Sequence, residues 1–129
     1  MVLDYDAATD ILYATCPDMK QEEMLHIYAA FAVMVKTLKE KNIPYLILDT
    51  SSSQLDMHQE DYNTILALLS TDLAVTGLQK LARLVSPDEK REGIVRQFLK
   101  ELDAHQSLPY VVESFTSKEA AVTWLKEIK

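Results

Sequence analysis

Cysteine, glycine and positive charge are all scarce in this chain of 129 residues, and each shortage removes a class of protein. A single cysteine, Cys16, leaves nothing to pair with inside the chain and fits a reducing compartment. Two glycines, Gly77 and Gly93, are too few for a glycine-rich phosphate loop, which excludes nucleotide binding by that route. Thirteen basic residues face 20 acidic ones, and a formal net charge of −7 repels nucleic-acid backbones and anionic membranes. No apolar run is long enough to span a bilayer, and the N-terminus lacks the basic and apolar regions of a signal peptide. Histidine is sparse too: His26, His58 and His105 have no spacing that makes a metal site or a nucleophile pair. Cys16 precedes Pro17 with no basic neighbour in sequence to lower its pKa, so it reads as a structural thiol. The expectation is a cytoplasmic, non-enzymatic protein without metal or cofactor. At this length it forms one domain over residues 1–129.

What is present is an alternation of strand and helix patterns with short connections. Val2 to Tyr5 and Ile11 to Cys16 are β-prone runs separated by a polar connection of hairpin length, Asp6 to Asp10, and should pair antiparallel. From Lys20 to Lys41, Met24, Ile27, Tyr28, Phe31, Met34, Val35 and Leu38 recur at the spacing of one helical face. Asn42 and Pro44 end that helix, and Tyr45 to Leu48 suits a strand covered on both faces. A second helix is expected from Asp56 to Asp72, with Tyr62, Ile65, Leu66 and Leu69 inward and a turn at Gly77. Leu78 to Val85 reads as the next strand. Ser86, Pro87 and Glu89 then read as cap, first position and capping box of a helix burying Ile94, Val95, Phe98, Leu99 and Leu102. Pro109 to Val112 reads as the last strand. Thr116 and Glu119 repeat the capping pattern before a helix burying Ala120, Ala121, Trp124, Leu125 and Ile128. The order ββαβαβαβα predicts an α/β fold, a mixed sheet of about five strands with helices and with its ligand-facing loops at the strand ends.

Three segments resemble the SpoIIAA-like, or STAS/SEC14-like, proteins: Leu46 to Asp49, Lys80 to Val85, and Glu113 to Leu125 with Phe115, Glu119, Ala120 and Trp124. The likeness runs nearly end to end and implies a STAS-like domain. In the anti-sigma-factor antagonists of that superfamily a serine at the start of the helix after the central strand is phosphorylated and controls partner binding. A phosphoryl group adds about −1.5 to −2 of charge, enough to make or break a docking contact. Here Asp49 matches the acid at the strand end, but Asp56, Met57 and His58 stand where the acceptor motif would be, without its serine. Ser51, Ser52 and Ser53 remain ordinary turn and capping residues as well as possible stand-ins.

Asp49, at the end of a strand, with Ser86 after the next, is also similar to a response-regulator receiver. Against it, Asp4 and Asp6 precede another strand rather than a helix, and Glu113-Ser114 replaces the expected lysine. The loop Asp49, Thr50, Ser51, Ser52, Ser53, Gln54 and Asp56 is therefore expected to contact a protein partner. On the long helix Leu25, Ala29, Ala32 and Val33 form a second apolar row beside the main stripe. A neighbouring helix of the same domain, a homodimer contact, or a wall of an apolar ligand pocket near Met24, Leu25, Phe31 and Met34 would each cover it. Two functions follow as expectations. One is a regulatory or protein-interaction module; the other carries or senses a small apolar ligand or lipid.

Overall fold

Three helices pack on one face of a five-stranded sheet and a single short helix packs on the other, an asymmetry that follows from which residues each strand turns to each side. The computed structural model describes residues 1–105 and 107–127. Its main sheet holds β1 (Leu3–Asp6), β2 (Ile11–Thr15), β4 (Tyr45–Asp49), β6 (Lys80–Leu84) and β7 (Val111–Phe115), in the order β1-β2-β4-β6-β7. β1 is antiparallel to β2, and every later pairing is parallel. Two further strands of two residues, β3 (Met19–Lys20) and β5 (Leu55–Asp56), pair with each other as a separate sheet. The helices are α1 (Met24–Lys41), preceded by a 3-10 turn at Gln21–Glu23, then α2 (Gln59–Ala74), α3 (Glu89–His105) and α4 (Lys118–Leu125). The fold is thus α/β with a mixed sheet, in the expected order once the two-residue strands are set aside.

Because strand side chains alternate in direction, β2, β4 and β6 each serve two cores. Leu12, Ala14, Leu46, Leu48 and Leu81 meet Ile27, Met34 and Leu38 of α1, Tyr62 and Ile65 of α2, and Val95 of α3. On the opposite face Ile11, Ile47, Ala82 and Leu84 meet Ala121 and Leu125 of α4. The Phe115 and Trp124 rings pack there tilted at 45° with their centroids 5.5 Å apart, and Lys80 donates to the carbonyls of Trp124 and Glu127 at the end of α4. The closing pattern is therefore a packing motif that fixes α4 against the sheet edge. α1 ends at Asn42, which adopts a left-handed conformation with φ 51° and donates to the Leu38 and Lys39 carbonyls.

Several local expectations shift. The helix before residue 24 is a 3-10 turn, and α2 starts at Gln59 because Leu55 and Asp56 are taken by β5. The last strand begins at Val111 rather than Pro109, with Tyr110 buried and its hydroxyl donating to the Ser70 carbonyl. The α3 cap is Asp88: its carboxylate accepts the Arg91 amide, while Ser86 Oγ accepts the Asp88 amide. Glu92, not Glu89, reaches back to the Ser86 amide, since Glu89 faces solvent. At α4 the cap is Ser117, which accepts from the Ala120 amide at 3.2 Å, and Ala120 itself is exposed. Thr116 and Ser117 are both eligible caps one residue apart, and only packing chooses between them. Ile128 lies outside the described residues.

Candidate functional site: the connection after β4

The sheet opens at the carboxyl ends of β2, β4 and β6, where Thr15, Asp49 and Leu84 stand side by side in register. Two loops cross this end. One follows β2 and the other follows β4, and the β3–β5 pairing joins them: Met19 pairs with Leu55 and Lys20 with Asp56. Gln21 strengthens the join by donating to Asp61 and accepting the His58 amide. Asp18 accepts the Gln54 amide.

The expected contact loop divides into anchors and tips. Thr50 is 3% exposed and Ser53 is 8% exposed, so neither offers a surface to a partner. The Thr50 hydroxyl donates to the Leu84 carbonyl at 2.6 Å, and Ser53 Oγ donates to the Pro17 carbonyl at 2.7 Å. Ser51, Ser52, Gln54 and Asp56 are exposed. A loop tied at both anchors holds its exposed residues in one arrangement, which lowers the ordering cost of binding.

Beneath the anchors is a residue that sequence reading passed over. Arg91, in the first turn of α3, is 1% exposed and extends under the loop. Its guanidinium donates to Tyr62 Oη at 3.1 Å, to both the carbonyl and Oγ of Ser53 at 3.0 Å, and to Cys16 Sγ at 3.6 Å. It makes no ion pair among the described residues. Burial pushes the Cys16 thiol and the Tyr62 hydroxyl up, and the Arg91 charge only partly offsets this, so both are neutral at pH 7. Cys16, expected as a structural thiol with no basic neighbour in sequence, has one in space. Next to it Arg83 and Glu92, 7% and 4% exposed, form a bidentate pair at 3.0 and 3.1 Å. In the charged run Lys90-Arg91-Glu92 only Lys90 is exposed, and the arrangement of α3 over β6 is what buries the other two.

Asp49 lies on the other side of the same strand end. It accepts hydrogen bonds from Tyr13 Oη and from the amide and hydroxyl of Ser51. Lys118, at the start of α4, sits 4.2 Å over the Tyr13 ring. Burial favours the neutral carboxyl, but the bonds from Ser51 and Tyr13 and the Lys118 charge outweigh it and hold Asp49 below its ordinary value. Tyr13 is pushed up to about 12, first by burial and then by Asp49.

The sign of the resulting pH dependence follows from linkage. A depressed carboxyl contributes stability above its unfolded pKa, near 4, and loses it as pH falls through the lower folded value. Asp49→Asn is therefore expected to cost no more than about 1 kcal/mol at pH 7, because solvent screens the site. The difference from the native protein should vanish at strongly acid pH. Urea unfolding of both proteins across the acid range reads this, and a gap that widens as pH falls would rule out the assignment.

Lys118 corrects one expectation, since Asp49 does have a cation beside it, supplied by α4 rather than by the end of the last strand. The receiver likeness gains little from it. Asp6 is paired with Ile11 and Asp49 with Thr15, which puts them at opposite ends of β2, about 13 Å apart along the strand. Among the described residues no group of three or more His, Cys, Asp or Glu side chains is placed to hold a metal ion.

The face expected on α1 also divides. Phe31 and Met34 turn into the core, at 7% and 0% exposure, and Met24 is half-buried, whereas Leu25 is exposed. Beside Phe31 a shallow groove of about 90 Å³ runs between α1 and α2, lined by Tyr28, Ala32, Leu68 and Asp72. The interior cavity bounded by Cys16, Tyr62, Phe31 and Arg91 measures about 30 Å³, room for about one water molecule. No helix among the described residues is long and apolar enough to cross a membrane. No family model, curated protein or solved structure matches this chain.

Proposed function

We propose that the chain is a non-catalytic regulatory or protein-interaction module of the STAS/SpoIIAA-like type, which meets a protein partner through Ser51, Ser52, Gln54 and Asp56. The observation that carries this reading is the division of the loop. Thr50 and Ser53 are buried and bonded to β6 and to the loop after β2, while the residues between and after them are exposed. Such construction presents side chains without freeing the backbone, as a docking loop requires.

The carrier reading has weaker support. Pockets for drug-sized ligands measure roughly 300–1,000 Å³ and enclose most of the ligand. The space beside Phe31 is an interior void of about 30 Å³ and an open groove of about 90 Å³.

A photo-crosslinking side chain at position 52, tested in the cells the protein comes from, distinguishes the two. The expected result is a discrete protein adduct at Ser52 that disappears when Asp56→Arg reverses the adjoining charge. The same probe at Thr123, exposed on α4, should give none. A lipid-sized adduct, or equal labelling at both positions, would overturn the proposal.

A further inference from the structure

The outward face of α1 is apolar and uncovered. Leu25 is 84% exposed and Val33 55%, with Ala29 and Ala32 exposed between them. The core-facing residues Ile27, Phe31, Met34, Val35 and Leu38 occupy the opposite side, and among the described residues only the α1–α2 groove at Ala32 borders the second row. At about 100° per residue, Leu25, Ala29, Ala32 and Lys36 fall within roughly 60° of arc and Val33 borders them. Exposed Leu68 of α2 extends the apolar surface along one flank.

Net charge along this helix is ordered by position. Glu22 and Glu23 precede it, while its last two turns hold Lys36 and Lys39 against one acid, Glu40, with Lys41 turned away over the Tyr5 ring. We propose that this face joins two copies of the chain, with the α1 helices antiparallel across a two-fold axis at Ala29.

An axis there sets opposite each other residues equally far from Ala29 in sequence. Leu25 meets Val33 of the second copy, and Glu22 meets Lys36. A two-fold contact is made with the same patch on both copies, so each pairing occurs twice. Alanine at the crossing lets the helices come to about 8 Å, the close end of the usual range. Lys36 already lies 3.6 Å from Glu40 of its own helix, and Glu22 of the second copy extends that pair into a chain of alternating charge. A parallel arrangement would set acids on acids and lysines on lysines. That charge order is what favours a second copy, and this orientation, over an unrelated partner.

Sedimentation of the full chain from about 1 μM to about 1 mM tests for a concentration-dependent dimer. Val33→Glu, at an exposed position, should leave the far-ultraviolet circular dichroism unchanged and weaken dimerisation at least about tenfold. Glu22→Lys and Lys36→Glu should each weaken it by up to about tenfold through like-charge contacts, and the double variant should recover most of the loss. Ala29→Cys should form an intermolecular disulfide under mild oxidation, since the axis brings the two β-carbons together. A monomer throughout, a dimer indifferent to Val33→Glu, a double charge swap no better than the single ones, or no Ala29→Cys crosslink would each overturn the proposal.

Discussion

Arg91→Met should lower the unfolding free energy by about 3 kcal/mol and loosen the loop after β4 before it loosens anything else. Two opposing effects set that number. Removing a buried guanidinium relieves the cost of keeping it from water, but it orphans the partners that accept from it. The Ser53 carbonyl and the Tyr62 hydroxyl both lie in residues less than a tenth exposed, and neither has another partner besides Arg91 among the described hydrogen bonds. Each orphaned group costs about 1–3 kcal/mol, and methionine nearly fills the space while satisfying neither. Arg91→Lys should recover little, because an ammonium cannot reach four acceptor atoms on three residues as a planar fork does. Chemical denaturation gives the magnitude. Hydrogen exchange gives the location, with the largest acceleration expected at the Met19 amide, which donates to the Gln54 carbonyl. An unchanged unfolding midpoint would mean that desolvation of Arg91 already cancels its hydrogen bonds and that the loop is held by other contacts.

Breaking the neighbouring ion pair should cost as much or more. Glu92→Leu leaves Arg83 charged, 7% exposed, and with only Ser114 Oγ at 3.3 Å as a remaining side-chain partner among the described residues. It also strips the Ser86 amide of its acceptor. Loss of one member of a buried pair costs about 3–5 kcal/mol, chiefly because the other is left uncompensated. The double variant Arg83→Met with Glu92→Leu removes both charges and should recover most of that loss, keeping a deficit of about 1–2 kcal/mol from the orphaned amide. A double-mutant cycle in urea measures the coupling. Should the double variant be no more stable than Glu92→Leu alone, the damage comes from side-chain packing, and the charge argument fails.

Both sites lie in a region that was legible only in part. The alternation of strand and helix is encoded in periodic apolar residues, and every long element appeared from it. Strands β3 and β5 did not, because two residues carry no period. Caps were identified by type but not by residue: Ser86 and Asp88, or Thr116 and Ser117, satisfy the same pattern, and packing decides between them. The loop after β4 was readable as a connection from its hydroxyl run. The burial of Thr50 and Ser53 was not, since a hydroxyl in a turn looks the same whether its partner is water or a distant carbonyl. Arg91 was hidden for the same reason, as its partners lie on three elements 29 to 75 positions away in sequence. The second apolar row of α1, by contrast, could be read directly, because a helix face is a local property.

The small β3–β5 sheet has an implication for engineering. It pins the strand after the loop to Met19 and Lys20 independently of the five-stranded sheet, and Thr50 pins the strand before it to β6. Residues inserted between Ser51 and Ser52 would displace neither tether. Their cost would be the turn bond from the Ser53 amide to the Thr50 carbonyl, which they would interrupt, and about 0.6 kcal/mol for each doubling of the loop. The turn is therefore a suitable place to graft a foreign peptide, one whose conformation would be dictated at both ends by the host.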